Sequence, residues 1–232
     1  MRLIVNVLRL GRIRYDEALQ LQHQLRDKVL KAVNDKRNIE NFLLLAEHDP
    51  VYTVGIRHQQ YDSLLEHRLK RLGAEFRRTE RGGKITFHGH GQLTVYPIVY
   101  LGSFRTQKSI KRYVHMLEET IIQASTILLR DCQPRLRIAT LAEHPGVWID
   151  NQRKLAAIGV HCKRWVTMHG LSLNCDVDLN WFDQIVPCDI PDKRVTSLTN
   201  ERRQLVTVAQ AIPPFLNAFR NVFDCELIDV CG

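Results

Sequence analysis

The sequence predicts an α/β (α+β) fold, a mixed β-sheet with helices packed on it, in one domain spanning residues 1–232. Three observations predict it. Stretches with apolar residues at helical spacing alternate with clusters of strand length and strand pattern. The strand clusters are often separated by tight turns, as in hairpins. No internal repeat is present, which argues against a repeated βα barrel. At 232 residues with 44% hydrophobic and 25% charged side chains, the chain has the composition of an ordinary globular enzyme and can bury a sizeable core.

Taken in order, Leu3–Leu8 reads as a first strand that Gly11 ends. From Tyr15 the apolar positions Ala18, Leu19, Leu21, Leu25, Val29, Leu30 and Val33 fall at helical spacing, with Asp16 and Glu17 in the first turn where the helix dipole favours acids, predicting a helix over 15–33. Asn41–His48 is a continuous apolar run of strand length, the pattern of a strand covered on both faces. Pro50 ends it, and Val51–Val54 is a short extended piece running into Gly55. Leu64, Leu65, Leu69 and Leu72 predict a second helix closed by Gly73. Ala74–Thr79 and Gln92–Tyr100 read as strands, with Pro97 marking an edge or a bulge. Lys108–Arg130 is a long helix with Tyr113, Val114, Leu117, Ile121, Ile122, Ser125 and Leu128 inward.

Pro134 and Pro145 bracket an irregular connection. Gly146–Asp150 and Arg153–Val160 form a hairpin whose turn lets Asn151 take a positive φ. Arg164–Thr167 and Gly170–Cys175 read as further strands, and Asp178–Arg194 as a looser segment in which prolines forbid a long helix. Thr207 and Gln210 form a capping-box pattern for a last helix through about Phe223, with a kink or restart expected at Pro213-Pro214. Cys225–Val230 closes the chain as a strand.

No apolar run approaches the roughly 18 residues of a membrane span, and the start lacks a secretory pattern. Arg2, Arg9, Arg12 and Arg14 without an intervening acid give a mitochondrial-import flavour, in residues that also suit a first strand. The net charge of +8 attracts anionic partners. Lys and Arg are spread without a basic block or interleaved aromatics, so an acidic protein fits at least as well as nucleic acid. The six cysteines contain no CxxC pair, which suggests neither a zinc site nor a disulfide framework.

Arg81–Gln92, RGGKITFHGHGQ, is the stretch the chain is organised around. Two glycine-bearing turns flank a short strand, so bare backbone and several cationic or titratable side chains meet at one strand end. That composition suits a pocket floor; a hairpin whose glycines serve turn geometry alone is the other reading. His88 and His90, two apart, would share a strand face if extended, yet no third ligand for a metal lies nearby in sequence. His88 is then a pocket hydrogen-bonding group or a structural histidine.

A thiol nucleophile needs a lowered pKa and access. Cys188 lies in an irregular loop between Pro187 and Pro191, whereas most other cysteines sit in apolar strand or helix context. Asp189 beside it raises a thiol pKa, so a cation has to outweigh it. Lys154, ahead of the small-residue run Leu155–Gly159, is the candidate; its alternative is a solvated residue at a hairpin turn. Lowering a thiol pKa by about two units takes about 2.7 kcal/mol, which one ammonium in a partly desolvated pocket can supply.

The blocks RGGKITFHGHGQ, RKLAAIGV, HGLSLNC, and WFDQIVPC followed by VTSL stand in this order and at these separations. With VLRLGRIRYDEALQLQ near the start and PPFLNAF near the end, they resemble the lipoyl(octanoyl)transferases, over nearly the whole chain. The resemblance is to the animal mitochondrial type. It implies the fold of biotin and lipoate protein ligases, Cys188 as nucleophile and Lys154 as its assistant. It also implies an acyl pocket lined by Arg81, Gly82, Gly83, Lys84, Ile85, Thr86, Phe87 and His88, by Ala157, Ile158 and Gly159, and by Gly170, Leu171 and Ser172. The implied reaction moves an octanoyl group from octanoyl-acyl carrier protein to a lysine through a thioester acyl-enzyme. The implied acceptors are the lipoyl domains of 2-oxoacid dehydrogenase complexes and the glycine cleavage H protein. No metal, nucleotide or other cofactor is implied, nor a nucleic-acid or membrane partner. The chain departs from the family pattern at His90, where proline is usual, and at Asp189, where glycine is usual. The alternatives are an ATP-dependent lipoate or biotin ligase on the same fold, which needs no cysteine, and a non-catalytic module binding an acidic protein or RNA.

Overall fold

The computed structural model describes residues 3–57, 61–104, 108–186 and 193–230. Among them, strands β1 (Leu3–Ile13), β2 (Asn41–His48), β6 (Gln92–Ile98), β7 (Ile138–Leu141), β8 (His144–Ile149), β9 (Arg153–Lys163), β10 (Val166–Asn174), β11 (Arg194–Val195) and β12 (Cys225–Asp229) form one mixed sheet. Its order is β12-β1-β2-β6-β10-β9-β8-β7, with β11 added beside β9. β12 and β2 run parallel to β1, and from β2 through β7 the neighbours are antiparallel. A smaller sheet, β4-β3-β5, is built from β3 (Val51–Val54), β4 (Glu75–Arg78) and β5 (Ile85–His88).

Helices α1 (Tyr15–Asn34), α3 (Ile110–Leu128) and α5 (Val208–Phe223) cover the large sheet. The apolar run of β2 does serve two layers. Leu43 and Leu45 join Tyr113, Leu117, Phe215 and Phe219 of α3 and α5, while Phe42, Leu44 and Ala46 join Ala18 and Val29 of α1. The third core lies under the small sheet, where Tyr52, Phe76, Ile85 and Phe87 meet Leu69 of α2 (Ser63–Arg71) and Phe182 of a 3-10 turn over Leu179–Gln184. Gly73 takes φ 91° just past the α2 cap, as the sequence predicts.

Several expectations are corrected. Gly11 does not end β1; it takes φ 61° at a register shift between Arg9 and Gly11, and the strand runs on beside β2. Pro97 lies on neither an edge nor a bulge. β6 is paired on both sides, and the β10 ladder lapses between Leu171↔Val95 and the bridge Tyr100↔Val166. The Thr167 hydroxyl fills that gap, donating to Pro97 O (2.7 Å) and accepting from Val99 N (3.1 Å). The connection between Pro134 and Pro145 contains β7. Arg164 and Trp165 are a turn rather than a strand, with φ of 49° and 66° between β9 and β10. Thr207 and Gln210 make the reciprocal capping box, and α5 continues as one helix through Pro213-Pro214. Its apolar face (Ala211, Phe215, Ala218, Phe219, Phe223) is buried, and that packing outweighs the lost backbone bonds. A short helix, α4 (Leu198–Arg202), capped by Ser197, had no periodic signal to announce it.

Candidate active site

Between the α1 face of the large sheet and the β5 stretch lies a cavity of ≈ 480 Å³, measured out to its open mouth. It is lined by Arg81, Gly83, Lys84, Thr86 and His88 on one side and by Ala157, Ile158, Gly159, Gly170, Leu171 and Ser172 on the other. Residues some 70 to 90 positions apart meet because the Arg81–Gly83 loop backs onto β9 at Gly159 and Val160, while β10 pairs with β9 in the register Ser172↔Ala157 and Gly170↔Gly159. Three of the residues that the resemblance implies do not line it. Gly82 contributes backbone only, its N–H donating to Val160 O (2.9 Å). Ile85 and Phe87 alternate to the other face of β5 and enter the small-sheet core, where Phe87 stacks on Trp181 at 5.0 Å. Tyr15, Thr94, Tyr96 and His169 line the cavity too; Tyr15 and His169 stand in the blocks VLRLGRIRYDEALQLQ and HGLSLNC, but the sequence alone marks none of the four as a site residue.

The glycines here permit close approach. Gly83 has φ 91°. A Cβ on Gly159 would stand 2.9 Å from Gly82 O and 3.1 Å from Arg81 Cδ, so β9 can back onto the Arg81–Gly83 loop only without a side chain.

Arg81 is buried and fixes that loop. Its Nη2 donates to Thr53 O (2.6 Å), Thr53 Oγ1 (2.9 Å) and Lys84 O (2.8 Å), and Nη1 donates to Gly82 O (3.0 Å). His88 contacts Thr53 Oγ1 through Nε2 (3.2 Å) and Gln92 Oε1 through Nδ1 (2.7 Å). Gln92 Nε2 donates to Asn174 Oδ1 (2.8 Å), and Asn174 Nδ2 donates to Thr196 O (2.9 Å). Burial first, then the neighbouring His48 and Arg81, push the His88 pKa down to about 3; burial and Arg81 do the same for His169. Burial likewise lowers His48, and pushes the Tyr15 phenol up to about 12 against the opposing pull of Arg81. At neutral pH the cavity therefore holds neutral imidazoles and phenols around one guanidinium.

Lys154 is not a solvated turn residue: it is 6% exposed, with Nζ 4.7 Å from the Trp148 ring centroid. It lines a second cavity with Thr86, Gln92, Ala157, Ser172, Asn174, Phe182 and Val195. Thr86, Ala157 and Ser172 line both cavities, so the cavity that Lys154 lines adjoins the larger one. A β-bulge puts the lysine there. Val147 pairs with Ala156 but Trp148 pairs with Lys154, and the extra residue sends both Leu155 and Ala156 into the main core. Lys154 and Ala157 are left on the cavity side, which simple alternation would forbid.

Cys188, the predicted nucleophile, lies outside the described residues, as does Asp189. On either side of that segment, Phe182 and Val195 both line the Lys154 cavity. The four described cysteines are free, and burial raises the pKa of each; Cys175 and Cys225 reach about 12. His88 and His90 do not share a face. β5 ends at His88, and beyond the turn His90 is exposed, its Nε2 3.1 Å from Asp49 Oδ1. Among the described residues no cluster of His, Cys, Asp or Glu could hold a metal ion.

This is the fold of the lipoate protein ligases. The bi-partite ligase of Thermoplasma acidophilum superposes with a TM-score of 0.70 over 98% of this chain and 87% of that one, at 14% identity. A lipoate-protein ligase A bound with ATP also gives 0.70, over 99% and 89% of the two chains and at the same 14% identity. Sequence is more specific. The lipoyl protein ligase A/B catalytic domain family matches residues 14–220. The chain is 47% identical to the mitochondrial octanoyl-(acyl-carrier-protein):protein N-octanoyltransferase LIPT2 of Danio rerio, over 96% of this chain and 94% of that protein. It is 41% identical to the enzyme of the same name from Homo sapiens, over 97% and 95%. The octanoyltransferase of Desulforamulus reducens is 38% identical over 95% and 91%. The chain belongs to this family, on its octanoyltransferase branch.

Proposed function

We propose that this chain, acting as one catalytic domain in the mitochondrial matrix, moves an octanoyl group from octanoyl-acyl carrier protein to a lysine of a lipoyl domain, the step that begins protein lipoylation. One observation carries the reading: a cavity lined by the Arg81–His88 stretch and by two small-residue strands adjoins the cavity that the buried Lys154 lines. The acceptors are the lipoyl domains of 2-oxoacid dehydrogenase complexes and the glycine cleavage H protein, and the net charge of +8 suits acidic carrier domains.

In this reading the Cys188 thiolate attacks the thioester carbonyl. A tetrahedral intermediate forms, and its collapse expels the carrier thiol, which takes a proton. The Lys154 ammonium stabilises the thiolate and passes protons in both half-reactions. The neutral ε-amine of the acceptor lysine then attacks the Cys188 thioester, loses a proton, and leaves as the amide while the thiolate is regenerated. Two facts support Cys188: the described cysteines all have raised pKa values, and the residues bordering its segment reach the Lys154 cavity.

The test is intact-mass spectrometry after incubation with octanoyl-acyl carrier protein. An octanoyl adduct mapped to Cys188, discharged by a lipoyl domain, is the expected result. Adduct-free protein that still octanoylates the acceptor from free octanoate and ATP would make it a ligase, and in that case Cys188→Ser would keep its activity.

A further inference from the structure

His169 combines three features that the reaction described above does not use. It has φ 55°, a left-handed backbone that costs a non-glycine residue conformational energy and persists only where the surroundings impose it. The imposing bond is visible: its N–H leaves the sheet and donates to Gln22 Oε1 of α1 (2.9 Å), beside the ladder gap at Pro97. Its side chain lines the cavity at 3% exposure, and its ring nitrogens make no hydrogen bond among the described residues.

Its position along the cavity is set by register. Ser172 and Ala157 adjoin the Lys154 cavity, and Gly170 pairs with Gly159 two residues further on. His169 is the last residue of β10 to line the cavity in that direction, about 10 Å from Ser172 at strand rise. Nearby, Gln22 Nε2 and His161 Nδ1 are buried without hydrogen-bond partners among the described residues. Between the Lys154 end and this point the cavity is lined by Ala157, Gly159 and Gly170 and also by His88, Thr94, Tyr96 and Ser172, of which His88 and Tyr96 make their hydrogen bonds within the protein.

We propose that His169 is the stop that limits acyl chain length, an inference that rests on the transferase reading. An alkyl chain entering from the Lys154 end passes Ala157, Gly159 and Gly170. Further methylenes meet an imidazole whose hydrogen-bonding atoms a hydrocarbon cannot satisfy, and where water held by those atoms would be displaced without replacement. The ring lines the cavity from this left-handed backbone position.

The test uses the full chain with hexanoyl, octanoyl, decanoyl and dodecanoyl thioesters of acyl carrier protein. His169→Gly removes the ring and suits the positive φ, and its unfolding midpoint is measured beside wild type to confirm that the variant is folded. The kcat/KM ratio of decanoyl to octanoyl is expected to rise about tenfold or more, since a methylene or two in an apolar pocket discriminates on that scale. His169→Asn, which tolerates the left-handed backbone and keeps a polar group at shorter reach, is expected to fall between. For a slow variant, thermal stabilisation by octanoate against decanoate reads the same preference without turnover. A ratio within about twofold of wild type, in turnover or in stabilisation, overturns the proposal alone. Wild-type protein that transfers no chain of any length overturns the transferase reading, and this proposal with it.

Discussion

The 2.7 Å contact between His88 Nδ1 and Gln92 Oε1 fixes the proton of the imidazole. Thr196 O accepts from Asn174 Nδ2, which leaves Asn174 Oδ1 to accept from Gln92 Nε2; Gln92 Nε2 also donates to Phe87 O. Gln92 Oε1 can then only accept, so His88 carries its proton on Nδ1, and Nε2 accepts from the Thr53 hydroxyl. Thr53 Oγ1 in turn accepts from Arg81. A polarised chain therefore runs from the guanidinium to Thr196, whose N–H donates to Lys154 O (2.9 Å). The acyl cavity and the Lys154 strand are held by one network.

Thr53 is its vulnerable link. Thr53→Val keeps shape but removes an acceptor from a buried guanidinium and the donor to His88. The expected loss is about 2–3 kcal/mol of unfolding free energy, as for hydrogen bonds to a charged group. Thr53→Ser, which keeps the hydroxyl, is expected to lose about 1 kcal/mol or less. Urea unfolding of the two variants measures the difference, and equal losses would show that the hydroxyl carries none of it.

Gly55 supports the same loop from below. A Cβ there would collide with Gly83 O and stand 2.6 Å from Arg81 O, both backbone atoms that cannot swing aside. Gly55→Ala is expected to cost about 1–3 kcal/mol by overpacking. It should also weaken octanoyl binding, because the Arg81–Gly83 loop is a cavity wall. Gly11→Ala, where nothing lies within 4 Å, isolates the cost of the positive φ alone.

Much of this arrangement is legible in the sequence, and what is not has a definite cause. Helical spacing gives α1 and α3, the capping box gives α5, and Asn151 takes the predicted positive φ of 59° in the β8–β9 turn. The glycine stretch and the two small-residue strands converge on one cavity. Trp165 misleads because a β-favouring side chain occupies a turn with φ 66°, where hairpin geometry overrides propensity. The face of Lys154 is hidden because a bulge is a property of two paired strands, Val147 against Ala156 and Trp148 against Lys154. Tyr15, Thr94, Tyr96 and His169 reach the cavity through long-range pairing and helix docking, which residue type and spacing alone do not reveal even where a family block contains them.

The buried histidines predict an acid-sensitive fold. His88 and His169 have folded pKa values near 3, well below the ordinary histidine value near 6.5. Between those limits the unfolded chain binds protons that the native chain does not, so stability is full above about pH 6.5 and falls as pH drops toward 3. Each histidine contributes up to about 1.4 kcal/mol per pH unit in that window. Thermal unfolding from pH 7 to pH 4 is expected to show a falling midpoint, with a shallower slope in His169→Gly. An identical slope in that variant would mean that His169 takes no part in the linkage.

Lys154 separates packing from electrostatics. Lys154→Met preserves the stem and its contact with Trp148 while removing the charge. If the ammonium holds Cys188 as thiolate, the alkylation rate of Cys188 at neutral pH falls, and its pH midpoint moves up toward the ordinary thiol value of about 8.5. The rate is read against a Cys188→Ser background so that other cysteines are subtracted. Octanoyl transfer is expected to drop about 10²–10⁴-fold in kcat/KM, the scale of losing a positioned proton-transfer group, while the unfolding midpoint stays near wild type. Lys154→Arg keeps the charge but not the compact ammonium or its readiness to give up a proton, so it should restore the low thiol midpoint without restoring full turnover. An unchanged alkylation profile in Lys154→Met would confine Lys154 to packing on Trp148, and the thiolate would need another source of stabilisation.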